Sequence, residues 1–123
     1  MKIRSARTLT ILLAAVALAA TLALAGDASK VVGVWDAVAS TPNGDMSSVM
    51  TITEEDGTLE VDMVLNGMKR GVSKEKLDGD ILTMTVRYEG VPYDVELKVD
   101  GETMEGTWSG MEANGTLKAK RQP

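Results

Sequence analysis

The chain of 123 residues has no cysteine, no histidine and no phenylalanine. Without the first two there is no Ser-His or Cys-His nucleophile pair, no imidazole or thiolate metal site, and no disulfide to stabilise an exported domain. Chemistry is then left to carboxylate pairs, and the acids here fall mostly in turns or alternate outward along strands, where water keeps them ordinary. The expectation is a non-enzymatic protein without a cofactor. Acidic turns such as Glu54-Glu55-Asp56-Gly57 and Asp78-Gly79-Asp80 lack the twelve-residue spacing of a calcium loop and read as hairpin turns. Because Phe is missing, methionine takes over much of the space filling. Seven Met follow residue 25: Met46, Met50, Met63, Met68, Met84, Met104 and Met111. Unbranched thioethers either fill an irregular small core or line a soft cavity for an apolar ligand. No two of them cluster closely enough in sequence to suggest a copper(I) site.

A long apolar run occurs only at the start. Lys2, Arg4 and Arg7 precede the eighteen residues Thr8 to Ala25, which end in Ala23-Leu24-Ala25, the small-x-small pattern read by a signal peptidase. Residues 1–25 are therefore expected to be a signal helix and 26–123 a single domain, periplasmic or secreted from a bacterial-type cell. An uncleaved anchor is the rival, since eighteen residues could just cross a hydrocarbon core of about 30 Å. Its Ala-rich composition and the lack of a basic stop-transfer cluster favour cleavage. Beyond residue 25 stand ten basic and eighteen acidic residues, a formal net charge of −8. Such a surface repels nucleic acid and anionic lipid, so neither nucleic-acid binding nor stable membrane association after cleavage is expected.

Turn chemistry punctuates the domain every eight to twelve residues, at Pro42-Asn43-Gly44, Glu55-Asp56-Gly57, Asn66-Gly67, Asp78-Gly79-Asp80, Glu89-Gly90, Asp100-Gly101 and Asn114-Gly115. Asn114-Gly115-Thr116 also matches a glycosylation acceptor, and is read as a turn. Between the turns apolar residues alternate with polar ones, as in Leu82, Met84, Val86 and Tyr88 against Thr83, Thr85 and Arg87. A period of two with one apolar face is a half-buried strand. Seven turns separate eight strands, near 32–40, 46–54, 58–65, 68–77, 81–88, 91–99, 103–109 and 115–121. The fold class expected is all-β: an eight-stranded antiparallel up-and-down barrel preceded by an N-terminal signal helix. Closure removes the exposed edges that invite aggregation. A two-sheet sandwich is the alternative.

Gly33-Val34-Trp35 opens the first strand and Arg121 ends the last, on the inward parity of Leu117 and Ala119. In a closed barrel these strands are neighbours, and the Arg121 guanidinium could lie across the Trp35 indole. Gly33, Trp35 and Arg121 then form a structural seam; a frayed basic tail is the alternative. A Gly-x-Trp opening with a basic residue closing the last strand resembles the calycin superfamily, the lipocalins and avidins among them. The order Gly33-Val34-Trp35, Thr41-Pro42-Asn43-Gly44, Asp56-Gly57, Asp100-Gly101 and Gly106-Thr107-Trp108 also resembles small exported bacterial barrel domains. The resemblance implies an up-and-down barrel of the kind that commonly holds one small ligand.

An empty dry cavity of about 300 Å³ would cost about 7 kcal/mol, a large share of what so small a domain can spare. Any cavity should therefore be narrow, hydrated or filled by ligand. The expected ligand-binding residues, from parity and chemistry, are Trp35, Met63, Met84, Tyr88, Tyr93, Met104 and Trp108, with Met50, Leu82, Val95 and Leu117 on the same wall. The partner would be a small hydrophobic molecule. The second reading is a fully packed structural or protein-interaction module.

Overall fold

The structure, a computed structural model, describes residues 28–123. The signal segment expected at 1–25 lies outside the described residues. Among the described residues, nine antiparallel strands follow one another in one sheet: β1 (Gly33–Thr41), β2 (Gly44–Glu55), β3 (Thr58–Leu65), β4 (Met68–Arg70), β5 (Val72–Asp78), β6 (Ile81–Tyr88), β7 (Val91–Asp100), β8 (Thr103–Ser109) and β9 (Asn114–Arg121). Their order is β4-β3-β2-β1-β9-β8-β7-β6-β5. The first and last strands pair, with Trp35 opposite Arg121 and Ala37 opposite Ala119, and the up-and-down sheet curls into a nearly closed barrel.

Nine strands replace the expected eight because the segment 68–77 is divided. Met68–Arg70 pairs with β3, and beyond Gly71 the chain changes partner and pairs with β6. The sequence there, Lys69-Arg70-Gly71 and Ser73-Lys74-Glu75-Lys76, has no apolar alternation to hold one register. The register slips between Ser73 and Lys76, and Lys74 takes a left-handed φ of 57°. Two bonds help to close this side of the barrel. Arg87 donates its backbone N–H to the Gly71 carbonyl at 2.9 Å, and Val61 donates its own to the Glu75 carboxylate at 3.1 Å.

Asp56-Gly57, Asn66-Gly67 and Glu89-Gly90 all combine two successive positive φ angles, the backbone that tight hairpins with right-twisted strands require. The turn expected at Asn114-Gly115 lies instead at residues 110–113, closed by Gly110 N–H to the Ala113 carbonyl at 2.8 Å. Gly115 is a strand residue, and packing demands it: a Cβ there would stand 2.2 Å from the Ser40 carbonyl oxygen and 2.7 Å from Trp108 Nε1.

The turns β2–β3, β5–β6 and β7–β8 lie at one end of the barrel, together with the C-terminal end of β9. That end is packed solid. Trp35, Met50, Ile52, Leu82, Leu97 and Met104 are fully buried there, each aliphatic side chain stabilising the fold by about 1.5–3 kcal/mol. A helical turn at residues 28–31, too short to leave a periodic signal in the sequence, caps the end with Val31, also fully buried. Its carbonyl accepts the Trp35 indole N–H at 2.9 Å.

Candidate ligand-binding site

On β1, and on β2 as far as Ser48, inward side chains diminish away from the packed end. On β1 the sequence runs Trp35, Ala37, Ala39; on β2 it runs Ile52, Met50, Ser48; on β9 Ala119 and Leu117 follow Arg121. Ala37, Ser48 and Ala119 sit side by side in register on β1, β2 and β9. At and above that layer, Ser48 on β2 and Ala39 on β1 leave space that the opposite wall does not fill.

The result is a cavity of about 560 Å³, open at the mouth end. Its inner wall is mostly apolar, with Ala39, Met63, Leu65, Val86, Val95 and Leu117. The rim is built by four turns, through Thr41, Pro42 and Asn43 (β1–β2), Asn66 (β3–β4), Glu89 (β6–β7) and Ala113 (β8–β9). Since solvent reaches this space, the penalty of a dry void does not apply to it.

An aromatic corner stands on the β7–β8 side. The Tyr93 and Trp108 rings meet edge to face, with centroids 5.7 Å apart and planes at 73°. Trp108 donates its indole N–H to the Ser40 carbonyl at 3.1 Å, which ties the ring to the end of β1. Two glycines make room for the pair: Gly115 lies against the indole and Gly110 against the Tyr93 ring, where a Cβ would stand 2.6 Å from Cδ1. Across the barrel the Arg70 guanidinium lies 4.5 Å from the centroid of the Tyr88 ring, and its Nε donates to the Leu65 carbonyl at 3.4 Å.

Met63, Tyr88, Tyr93 and Trp108 line this cavity, as do Val95 and Leu117. Trp35, Met84 and Met104 do not. They face inward, but Trp35 and Met104 are fully buried and Met84 nearly so, all outside the cavity lining. Parity along a strand tells inside from outside and says nothing of height along the barrel axis. Ala39, Met46, Ser48, Leu65 and Val86 also line the cavity and were not singled out. The signal that could have found them is the fall in side-chain size from Trp35 to Ala37 and Ala39.

At the seam, Arg121 Cζ lies 4.4 Å from the Trp35 ring centroid. Its Nη1 donates to the Val32 carbonyl, its Nη2 to the Lys30 carbonyl at 2.7 Å, and its Nε pairs with Glu102 at 3.0 Å. Gly33, with φ +143°, leaves the guanidinium its place, since a Cβ there would lie 2.6 Å from Nη1.

The chain matches no protein-family model, and no curated protein is significantly similar to it. Solved structures do match. A redesigned β-barrel superposes with a TM-score of 0.64 at 16% identity, over 79% of this chain and 96% of that one. A mutant of the fluorescent protein UnaG superposes with a TM-score of 0.54 at 14% identity, over 77% of this chain and 98% of that one. The shared feature is the antiparallel β-barrel. At these identities the likeness is one of architecture, and it agrees with the resemblance carried by Gly33, Trp35 and Arg121.

Proposed function

We propose that this protein is an exported, non-enzymatic binder that takes a small, largely apolar molecule into the open half of its barrel. The observation that carries the reading is the cavity of about 560 Å³, within the range of small-molecule sites, with an apolar wall and a few polar groups. A fully packed module would need those side chains to fill the barrel, as the buried cluster that holds Trp35, Met50 and Met104 does at the other end. Export rests on the leader pattern of residues 1–25 and the cysteine-free, acidic domain that follows.

The test is a titration of the purified protein with long-chain alcohols, fatty acids, retinoid-like molecules and hydrophobic dyes, followed by intrinsic tryptophan emission. Saturable shifts for at least one class are expected. No saturable response from any of them would return the protein to the packed-module reading.

A further inference from the structure

Deep in the cavity wall, below the polar residues of the rim, stands a hydroxyl that the fold does not use. Ser48 is 8% exposed and is the one buried polar residue among the described residues. Its Oγ has no hydrogen-bond partner among them, yet it is not a sealed, unsatisfied atom, because it opens into the cavity. A strand position facing the interior would ordinarily carry an apolar residue, so a hydroxyl there that bonds nothing in the fold calls for a partner from the cavity. The neighbours in register, Ala37 and Leu65, follow that rule.

Charge in the lining has one sign only. Among the described residues, Glu89 on the rim is its sole charged residue, and no Lys or Arg lines the cavity. The nearby cation, Arg70, is engaged by the Tyr88 ring and the Leu65 carbonyl and stands outside the lining. An ionised carboxylate drawn into this space would lose its hydration and meet no counter-charge. A neutral hydroxyl or carbonyl would lose far less and would find Ser48.

We propose that the cavity selects an uncharged amphiphile, one with an apolar body and a single neutral hydrogen-bonding group, such as an alcohol or ester, seated against Ser48 Oγ. Tyr88 and Tyr93, which line the same cavity, flank the body of the ligand. The inference rests on the binding reading above and sharpens it to a ligand class.

The experiment compares decanol, decanoate and naphthalene by calorimetry at neutral pH, where decanoate is ionised and naphthalene has no hydrogen-bonding group. Decanol should bind at least tenfold more tightly than decanoate. Ser48→Ala should weaken decanol by about five- to tenfold, the worth of one neutral hydrogen bond, and leave naphthalene unchanged. Its unfolding midpoint should not fall, because Oγ holds nothing within the protein. Two results would overturn the ligand class while leaving the binding reading intact: decanoate equal to or tighter than decanol, or decanol insensitive to Ser48→Ala. If decanoate prevails and Arg70→Ala removes it, the cation of Arg70 is in play. Should none of the three bind, the ligand class and the binding reading fall together.

Discussion

The Arg121 guanidinium covers the Trp35 indole at 4.4 Å while its nitrogens reach the Val32 and Lys30 carbonyls. One side chain thus joins the last strand, the first strand and the capping turn that carries Val31. The stacking brings about 1–2 kcal/mol when partly desolvated, and loss of the guanidinium also leaves two carbonyls to water. Arg121→Ala should destabilise the protein by about 2–3 kcal/mol, read as a lower denaturant midpoint with an unchanged slope. Arg121→Lys should recover less than half, since a point charge cannot serve two carbonyls and a ring face together. Gly33→Ala should also destabilise, because φ +143° strains any Cβ there and that Cβ would crowd Nη1. A wild-type midpoint in Arg121→Ala would mean that the seam is held by strand pairing alone.

Trp108 and Trp35 report on opposite ends of the barrel. Trp35 is sealed in the core, whereas Trp108 borders the cavity, half-buried against Tyr93. Ligand should therefore change the emission of Trp108 and leave that of Trp35 alone. Trp108→Phe should abolish most of the emission response, while calorimetry still detects binding. A full response surviving in Trp108→Phe would place the ligand elsewhere.

Gly115→Ala tests why that glycine stands within a strand. The added methyl would press on the Ser40 carbonyl, which is backbone and cannot step aside, and on the indole that donates to it. A loss of about 2–4 kcal/mol is expected, with weaker ligand binding as Trp108 leaves its place. Gly57→Ala, at a turn with φ +80° and no neighbouring atom in the way, should cost about 1 kcal/mol and leave binding intact. Equal, small effects at both sites, measured by thermal unfolding, would remove the packing role of Gly115.

Much of the fold was legible because alternation and turn chemistry are local. Leu82, Met84 and Val86 on β6, or Val95, Leu97 and Val99 on β7, declare their inward face by period alone. The seam was legible too, since Trp35 and Arg121 mark the two strands that must meet. What remained hidden was set by tertiary space. Lys69 to Lys76 has Val72 as its single apolar residue, so no local alternation could show that the chain changes partner at Gly71. Asn114-Gly115 has the composition of a turn, and only the indole of Trp108 explains its place in β9. Ser48 carries no local signal of burial: it stands next to Ser47, and its neighbours in register, Ala37 and Leu65, come from other strands.

Glu75 links the two strands whose ladder is broken. Its carboxylate accepts the Val61 N–H, so a side chain from β5 takes the role that a backbone carbonyl would play in a continuous barrel. Val61 itself is buried, and an amide on that strand left without a partner bears the full penalty of desolvation. Glu75→Ala should lower stability by about 1–2 kcal/mol, and the Val61 amide should exchange with solvent at least tenfold faster than in the parent protein. Glu75→Gln keeps an acceptor oxygen and should restore most of the protection. Amides in the middle of the β1–β9 pairing should lose only the protection that the global destabilisation accounts for. If Val61 exchanges no faster than those amides in Glu75→Ala, the carboxylate is incidental, and contact between β3 and β5 closes the barrel without it.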